Sequence, residues 1–112
     1  MEECIFCRIV AGEIPADKLY EDEELLAFKD IAPQAPVHFL VIPKKHLRDP
    51  AALGTEDELL AGRMLRVGAR VAAEAGIGDG FRMIVNNGAK AGQVVFHLHL
   101  HILGGKDKPW PI

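Results

Sequence analysis

The sequence predicts an α+β domain in which a mostly antiparallel five-stranded sheet packs against one long and one short helix. Three observations carry this. Five apolar segments of strand length are separated by turns rich in Pro, Gly, Asn and acidic residues. One stretch, 55–75, repeats apolar residues at helical spacing. The order is short helix, three strands, long helix, two strands, which lacks the strand-helix alternation of a parallel sheet. A length of 112 residues suggests one domain over 1–112, enough for one core and too short for two.

Each element has a local reason. Residues 4–11 read as the short helix, with Ile5, Phe6, Ile9 and Val10 apolar and Gly12 as its stop. Ile14-Pro15 forces an extended connection. Residues 19–21 and 25–28 read as strands flanking the acidic turn 21–24. Pro33 and Pro36 interrupt the chain, and the β-branched run 37–42, stopped by Pro43, reads as a largely buried strand. Thr55-Glu56-Asp57-Glu58 has the T-x-x-E form of a capping box and opens the long helix. Its expected apolar stripe is Leu59, Leu60, Met64, Leu65, Val67, Val71 and Ala72, and Gly76 fits its stop. Residues 81–85 form a strand ending at Asn86-Asn87-Gly88, and 94–103 form the last strand, closed by Gly104-Gly105.

That last segment holds the most informative pattern. Three of the five histidines, His97, His99 and His101, stand at every second position. On a strand they share one face, while Phe96, Leu98, Leu100 and Ile102 share the other. Imidazole titrates nearest neutral pH, so the row suits proton transfer, nucleophilic attack or metal binding. A neutral imidazole attacks phosphorus to give a phosphoryl-histidine, and a second on the same face can protonate the leaving group.

Cys4-Ile5-Phe6-Cys7 is a second constellation. On a helix, positions i and i+3 face one way, so both sulfurs can meet one ion. A structural zinc takes four ligands, and His46 and His97 are the candidates for the other two. Two buried, inert thiols are the plainer reading. A redox pair is disfavoured because no βαβ pattern follows. There is no G-x-x-x-x-G-K-[ST] loop. Gly76-Ile77-Gly78-Asp79-Gly80 follows a helix and suits turn duty. Gly88-Ala89-Lys90-Ala91-Gly92-Gln93 leads into the histidine row, where its backbone N–H groups can meet an anion. Lys44-Lys45-His46-Leu47-Arg48 reads as a solvated basic patch.

The formal net charge of −3 argues against wholesale nucleic acid binding. No apolar run reaches the roughly 18 residues of a membrane span. Met1-Glu2-Glu3-Cys4 lacks the basic, then apolar, start of a signal peptide, so a cytoplasmic location is expected. In that reducing compartment the two cysteines are free or metal-bound.

The row His97-Leu98-His99-Leu100-His101-Ile102-Leu103 resembles the signature of the histidine triad (HIT) superfamily. Ile5-Phe6, Glu13-Ile14-Pro15, Tyr20-Glu21-Asp22, 27–31, 33–46, Gly104-Gly105 and Trp110-Pro111 resemble its histidine triad nucleotide-binding (Hint) branch. The resemblance implies a single domain of HIT-like fold and a dimeric nucleoside phosphoramidase. Such an enzyme cleaves the P–N bond of purine nucleoside 5′-phosphoramidates and releases AMP or GMP. It implies His99 as nucleophile, His101 on the phosphate and leaving group, and His97 and His38 as supports. Asp30 would take the ribose hydroxyls. Phe6, Ile9, Phe28 and Ile31 would hold the base, and Asn86, Gly92 and Gln93 would line the ribose and phosphate side. Catalysis would need no cofactor. Better-known animal members carry serine where this chain has Val94, which offers only its backbone N–H. Some members bind structural zinc through residues matching Cys4, Cys7, His46 and His97. His101 stands where the transferase branch has glutamine, and so suits hydrolysis. Hydrolysis of dinucleoside polyphosphates, or nucleotide-dependent regulation with incidental catalysis, are the competing readings. The small residues Ala61, Gly62, Gly68 and Ala69 suit close packing of the long helix, within the chain or against a partner.

Overall fold

In a computed structural model of the protein, residues 3–111 are described; Met1, Glu2 and Ile112 lie outside them, and with them part of the N-terminal segment read above. Five strands, β1 (Lys18–Glu21), β2 (Leu25–Lys29), β3 (Val37–Pro43), β4 (Phe81–Ile84) and β5 (Leu100–Gly104), form one sheet in the order β1-β2-β3-β5-β4. Every neighbouring pair is antiparallel. The expected α+β architecture is what the chain adopts. A short helix α1 (Ile5–Val10) precedes the sheet, and a long helix α2 (Glu58–Glu74) lies between β3 and β4.

The strands β2 and β3 are buried on both faces, and their alternation sorts the molecule into two sides. Leu25, Ala27, Phe39 and Val41 join Met64, Val67, Val71 and Ala72 of α2 in the main core. Leu26, Phe28, Leu40 and Ile42 point the other way and pack with Phe6 and Ile9 of α1. His38 has the same parity as Leu40 and Ile42, so it faces the α1 side. The fold thus gives one sheet face to stability and the other to a site.

Four expectations change. The strand expected over 94–103 begins only at Leu100. The register pairs Val41 with Leu100, which would set Pro43 opposite Leu98. Proline has no N–H to donate, so the ladder stops there. Leu98 donates its N–H to Leu47 O instead, at 2.6 Å. The side-chain alternation nevertheless survives: Leu98, Leu100 and Ile102 enter the main core, and the three histidines face the α1 side. Phe96 falls outside that pattern. It is half-buried, with the Arg48 guanidinium 4.3 Å above its ring.

The entry to α2 is also not the expected T-x-x-E box. A 3-10 turn, Thr55–Asp57, precedes the helix, and the Asp57 carboxylate accepts the Gly54 N–H at 3.0 Å. Asp57 is buried and also holds Lys45 Nζ at 2.7 Å, two contacts that keep its carboxyl below the usual range. Within α2 the buried stripe is Met64, Val67, Gly68, Val71 and Ala72. Leu59 and Leu65, assigned to that stripe from the sequence, are 88% and 52% exposed. Gly76 does end the helix region, with φ +84°. No helix among the described residues is long and apolar enough to cross a membrane.

Candidate active site

The α1 side of the sheet holds a cavity of about 580 Å³, within the range of small-ligand sites. Phe6 and Ile9 of α1, Phe28 of β2 and Leu40 of β3 form its apolar wall, with Ile31 at the rim, 99% exposed. Asp30, His38, His99 and His101 supply its polar side, and Asn86, Gly92 and Val94 close the remaining edge. Phe6 meets Phe28 and His99 edge to face, at 5.5 and 5.2 Å between ring centroids.

Hydrogen bonds fix the tautomer of each histidine at the cavity. His99 Nδ1 lies 2.7 Å from His97 O, so Nδ1 carries the proton and Nε2 keeps a free lone pair. His38 Nδ1 accepts the Gln34 N–H at 3.0 Å. Its Nε2 must then donate, and it reaches His101 Nδ1 at 2.9 Å, with Asp30 Oδ2 at 3.4 Å. His101 therefore accepts at Nδ1 and carries its proton at Nε2. Among the described residues no buried side-chain polar atom lacks a partner. His99 Nε2 and His101 Nε2, unpartnered, are thus open to the cavity. The result is a nucleophilic nitrogen beside an N–H donor, with ring centroids 4.9 Å apart.

Burial sets the charge states. It lowers His101 to about 4, helped by its neighbours His99 and His38 and opposed by Asp30. Burial also lowers His38, again against Asp30. Asp30 divides its carboxylate: Oδ1 accepts the Ala32 N–H at 2.8 Å, and Oδ2 faces His38.

His97 departs from the other two. It is fully buried, and its Nε2–H donates to Pro43 O at 2.8 Å. Its bare Nδ1 points away from the cavity, 3.3 Å from Cys4 Sγ, 3.6 Å from Cys7 Sγ and 3.2 Å from His46 Nδ1. Cys7 Sγ lies 3.3 Å from His46 Nδ1. The four donor atoms all fall within 4.8 Å of one another. Tetrahedral zinc with Zn–N about 2.0–2.1 Å and Zn–S about 2.3 Å sets donor-to-donor edges of about 3.3–3.8 Å. The cluster is compatible with structural zinc on distance, donor type and tautomer, and the Pro43 carbonyl is the outer partner that orients a ligating imidazole. Burial, then Cys4, push the Cys7 thiol up to about 11; a cation at the centre is what ionises such a thiol.

Gln93 does not line the cavity as expected. It is 2% exposed, and its amide is spent on the backbone. Nε2 donates to Arg48 O and Val95 O, and Oε1 accepts the Gly88 N–H. It anchors the 88–93 loop from beneath. Gly92, at φ +100°, makes the turn that sends the next side chain inward. Leu40 was not singled out from the sequence, although its period-two relation to His38 was a usable signal. The tautomer-setting groups, Gln34 N–H, His97 O and Pro43 O, are backbone atoms and leave no mark in a sequence. The Lys44–Arg48 patch is exposed in part, yet Lys44 pairs with Glu21 and Lys45 with Asp57.

The HIT domain family model matches residues 11–108. An uncharacterised HIT-like protein of Synechocystis sp. is 56% identical over 110 residues, covering 98% of this chain and 96% of its own. A HIT family hydrolase from Legionella pneumophila has a similar solved structure, with TM-score 0.93 and 43% identity over 97% of this chain and 98% of that one. A HIT family hydrolase from Clostridium thermocellum superimposes with TM-score 0.95 at 42% identity, over 100% and 99%. The chain belongs to the histidine triad, or HIT, family.

Proposed function

We propose that this protein hydrolyses the P–N bond of purine nucleoside 5′-phosphoramidates and releases the nucleoside monophosphate. The observation that carries this reading is the His99 tautomer, whose bare Nε2 opens into the cavity beside the His101 N–H. His99 Nε2 attacks phosphorus. The P–N bond breaks, and the amine departs with its electron pair and takes a proton from solvent, which the water of the second step returns, while His101 Nε2–H donates to a phosphoryl oxygen. Water then attacks the nucleotidyl-histidine, frees the monophosphate and restores the neutral imidazole. Phe6, Ile9, Phe28 and Ile31 take the purine, Asp30 the ribose hydroxyls, and Asn86, Gly92 and Val94 the phosphate edge. His38 fixes His101. The similar solved structures of HIT family hydrolases support the reaction class.

Purified protein given adenosine 5′-phosphoramidate should release AMP. His99→Ala should lower turnover more than about 10³-fold and shift AMP affinity less than about tenfold. Full turnover in His99→Ala would sink the mechanism. Faster cleavage of a diadenosine polyphosphate would favour the sister activity, and turnover below about 10⁻² s⁻¹ on every phosphoramidate would favour a regulatory binding role.

We infer zinc at Cys4, Cys7, His46 and His97. Elemental analysis of protein prepared without chelators should find about one zinc per chain, and Cys4→Ser should lose it. A cytoplasmic setting would keep both thiols reduced. We also infer a homodimer through the α2 side.

A further inference from the structure

We propose that Cys4 and Cys7 form a reversible oxidation site whose metal-bound state latches α1 over the purine cavity. This rests on the zinc reading above. The cluster stands between two spaces. On one side is the nucleotide cavity. On the other is a groove of about 410 Å³ whose walls include Cys4, His46, Arg48 and Phe96. Ile5, Val94 and Val95 border both. Both cysteines are only half-buried, so a small oxidant reaches the cluster without entering the nucleotide cavity.

The two sulfurs are placed to join. Cys4 is the N-cap residue of α1, and the Cys7 N–H donates to Cys4 Sγ at 3.3 Å. With hydrogen peroxide, one thiolate attacks the O–O bond, giving a sulfenic acid and hydroxide. The second thiolate attacks that sulfur, forms the S–S bond and expels another hydroxide. Two electrons pass from the sulfurs to the peroxide. Only His46 and His97 would then remain to hold a metal, too few protein ligands to retain it. A thiol reductant reverses the bond by exchange.

The consequence falls on the purine wall. α1 has six residues, too few to persist unaided, and it carries Phe6 and Ile9. The cluster ties both its N-cap and its first turn to His46 and His97, on the chain beyond β3 and before β5. The family match spans 11–108, so Cys4 and Cys7 precede it while His46 and His97 lie within it. With the metal gone, α1 loosens and Phe6 no longer presents a fixed face to the base.

The test starts from zinc content by elemental analysis, then adds hydrogen peroxide. A chromophoric chelator reads metal release, peptide mapping reads the Cys4–Cys7 disulfide, and calorimetry reads AMP affinity. One zinc should leave per disulfide formed, with AMP Kd rising about tenfold and recovering after reductant and zinc. Zinc release with unchanged AMP affinity overturns the latch. Sulfinic acid without disulfide overturns the reversible site. In Cys4→Ala, peroxide should leave AMP affinity where it started; a further fall there places the oxidation elsewhere and also overturns the proposal. Protein that carries no zinc before any oxidant is added fails the zinc reading itself, and shows this at the first step.

Discussion

His101 is the histidine whose charge the fold fixes most firmly. Burial lowers it to about 4, and His38 Nε2–H already occupies its Nδ1. An imidazolium there would lose that bond and face two other imidazoles. The neutral form, with its proton on Nε2, is the state that can donate to a phosphoryl oxygen at neutral pH. Its folded pKa is below the unfolded value of about 6.5, so the unfolded chain binds the proton first as pH falls. The resulting stabilisation is complete above about pH 6.5 and drains away towards pH 4, by up to about 3 kcal/mol. Melting curves of the wild type and His101→Phe from about pH 7 to about pH 4 should therefore converge, the wild type falling more steeply. A constant gap across that window would refute the assignment. At this scale the sequence showed which residue types meet, because H-x-H-x-H on an extended chain has only one geometric reading. It could not show which nitrogen is bare, because the deciding partners are carbonyls and amides that every residue possesses. Gln93 differs from its expected place for a related reason: its position beside Gly92 is legible in the sequence, but the positive φ of Gly92 that turns it under the loop is not.

Helix α2 is set by its closest approach to the sheet, which Gly68 permits. A Cβ on Gly68 would run into Ile102 Cδ1, with Met83 and Val41 next nearest. Gly68→Val should thus lower stability by about 1–3 kcal/mol, even though leaving glycine favours a helix interior. Denaturant melts should show a lower midpoint with unchanged slope, and an unaltered midpoint would mean the helix stands further off. The helix itself was legible from its period, and its stop from Gly76. Its stripe was only partly so. Leu59 and Leu65 each sit one residue, about 100°, from Leu60 and Met64, and hydropathy alone does not say which of two adjacent apolar residues faces inward. The histidine strand failed at its start for a reason visible only in three dimensions: the register that brings Pro43 opposite Leu98 depends on how β3 and β5 pair.

Across the whole molecule, the two sheet edges are unequal. Strand β1 carries a Lys18–Glu21 ion pair at 3.1 Å and an irregular register against β2, both of which discourage another strand from adding. Strand β4 has no such guard. Its one charged residue, Arg82, lies over the Trp110 ring at 5.0 Å. Beside it an apolar groove runs between α2 and the sheet, lined by Leu53, Ala61, Met64, Leu65 and Val85 among others. Leu65 and Val85 are 52% and 46% exposed. An open strand edge next to exposed aliphatic side chains would suit the proposed homodimer as a self-complementary two-fold contact, in which β4 would meet β4 and each α2 would cover the other's groove. In the proposed dimer the exposed Leu65 of that helix face would be covered by the partner. Light scattering on purified protein should give twice the chain mass, and Leu65→Arg combined with Val85→Asp should give a monomer that keeps its helical circular dichroism. The paired substitution places charge in the groove and at the strand end without touching the α1-side cavity. A wild type that scatters as a monomer at micromolar concentration would overturn the dimer.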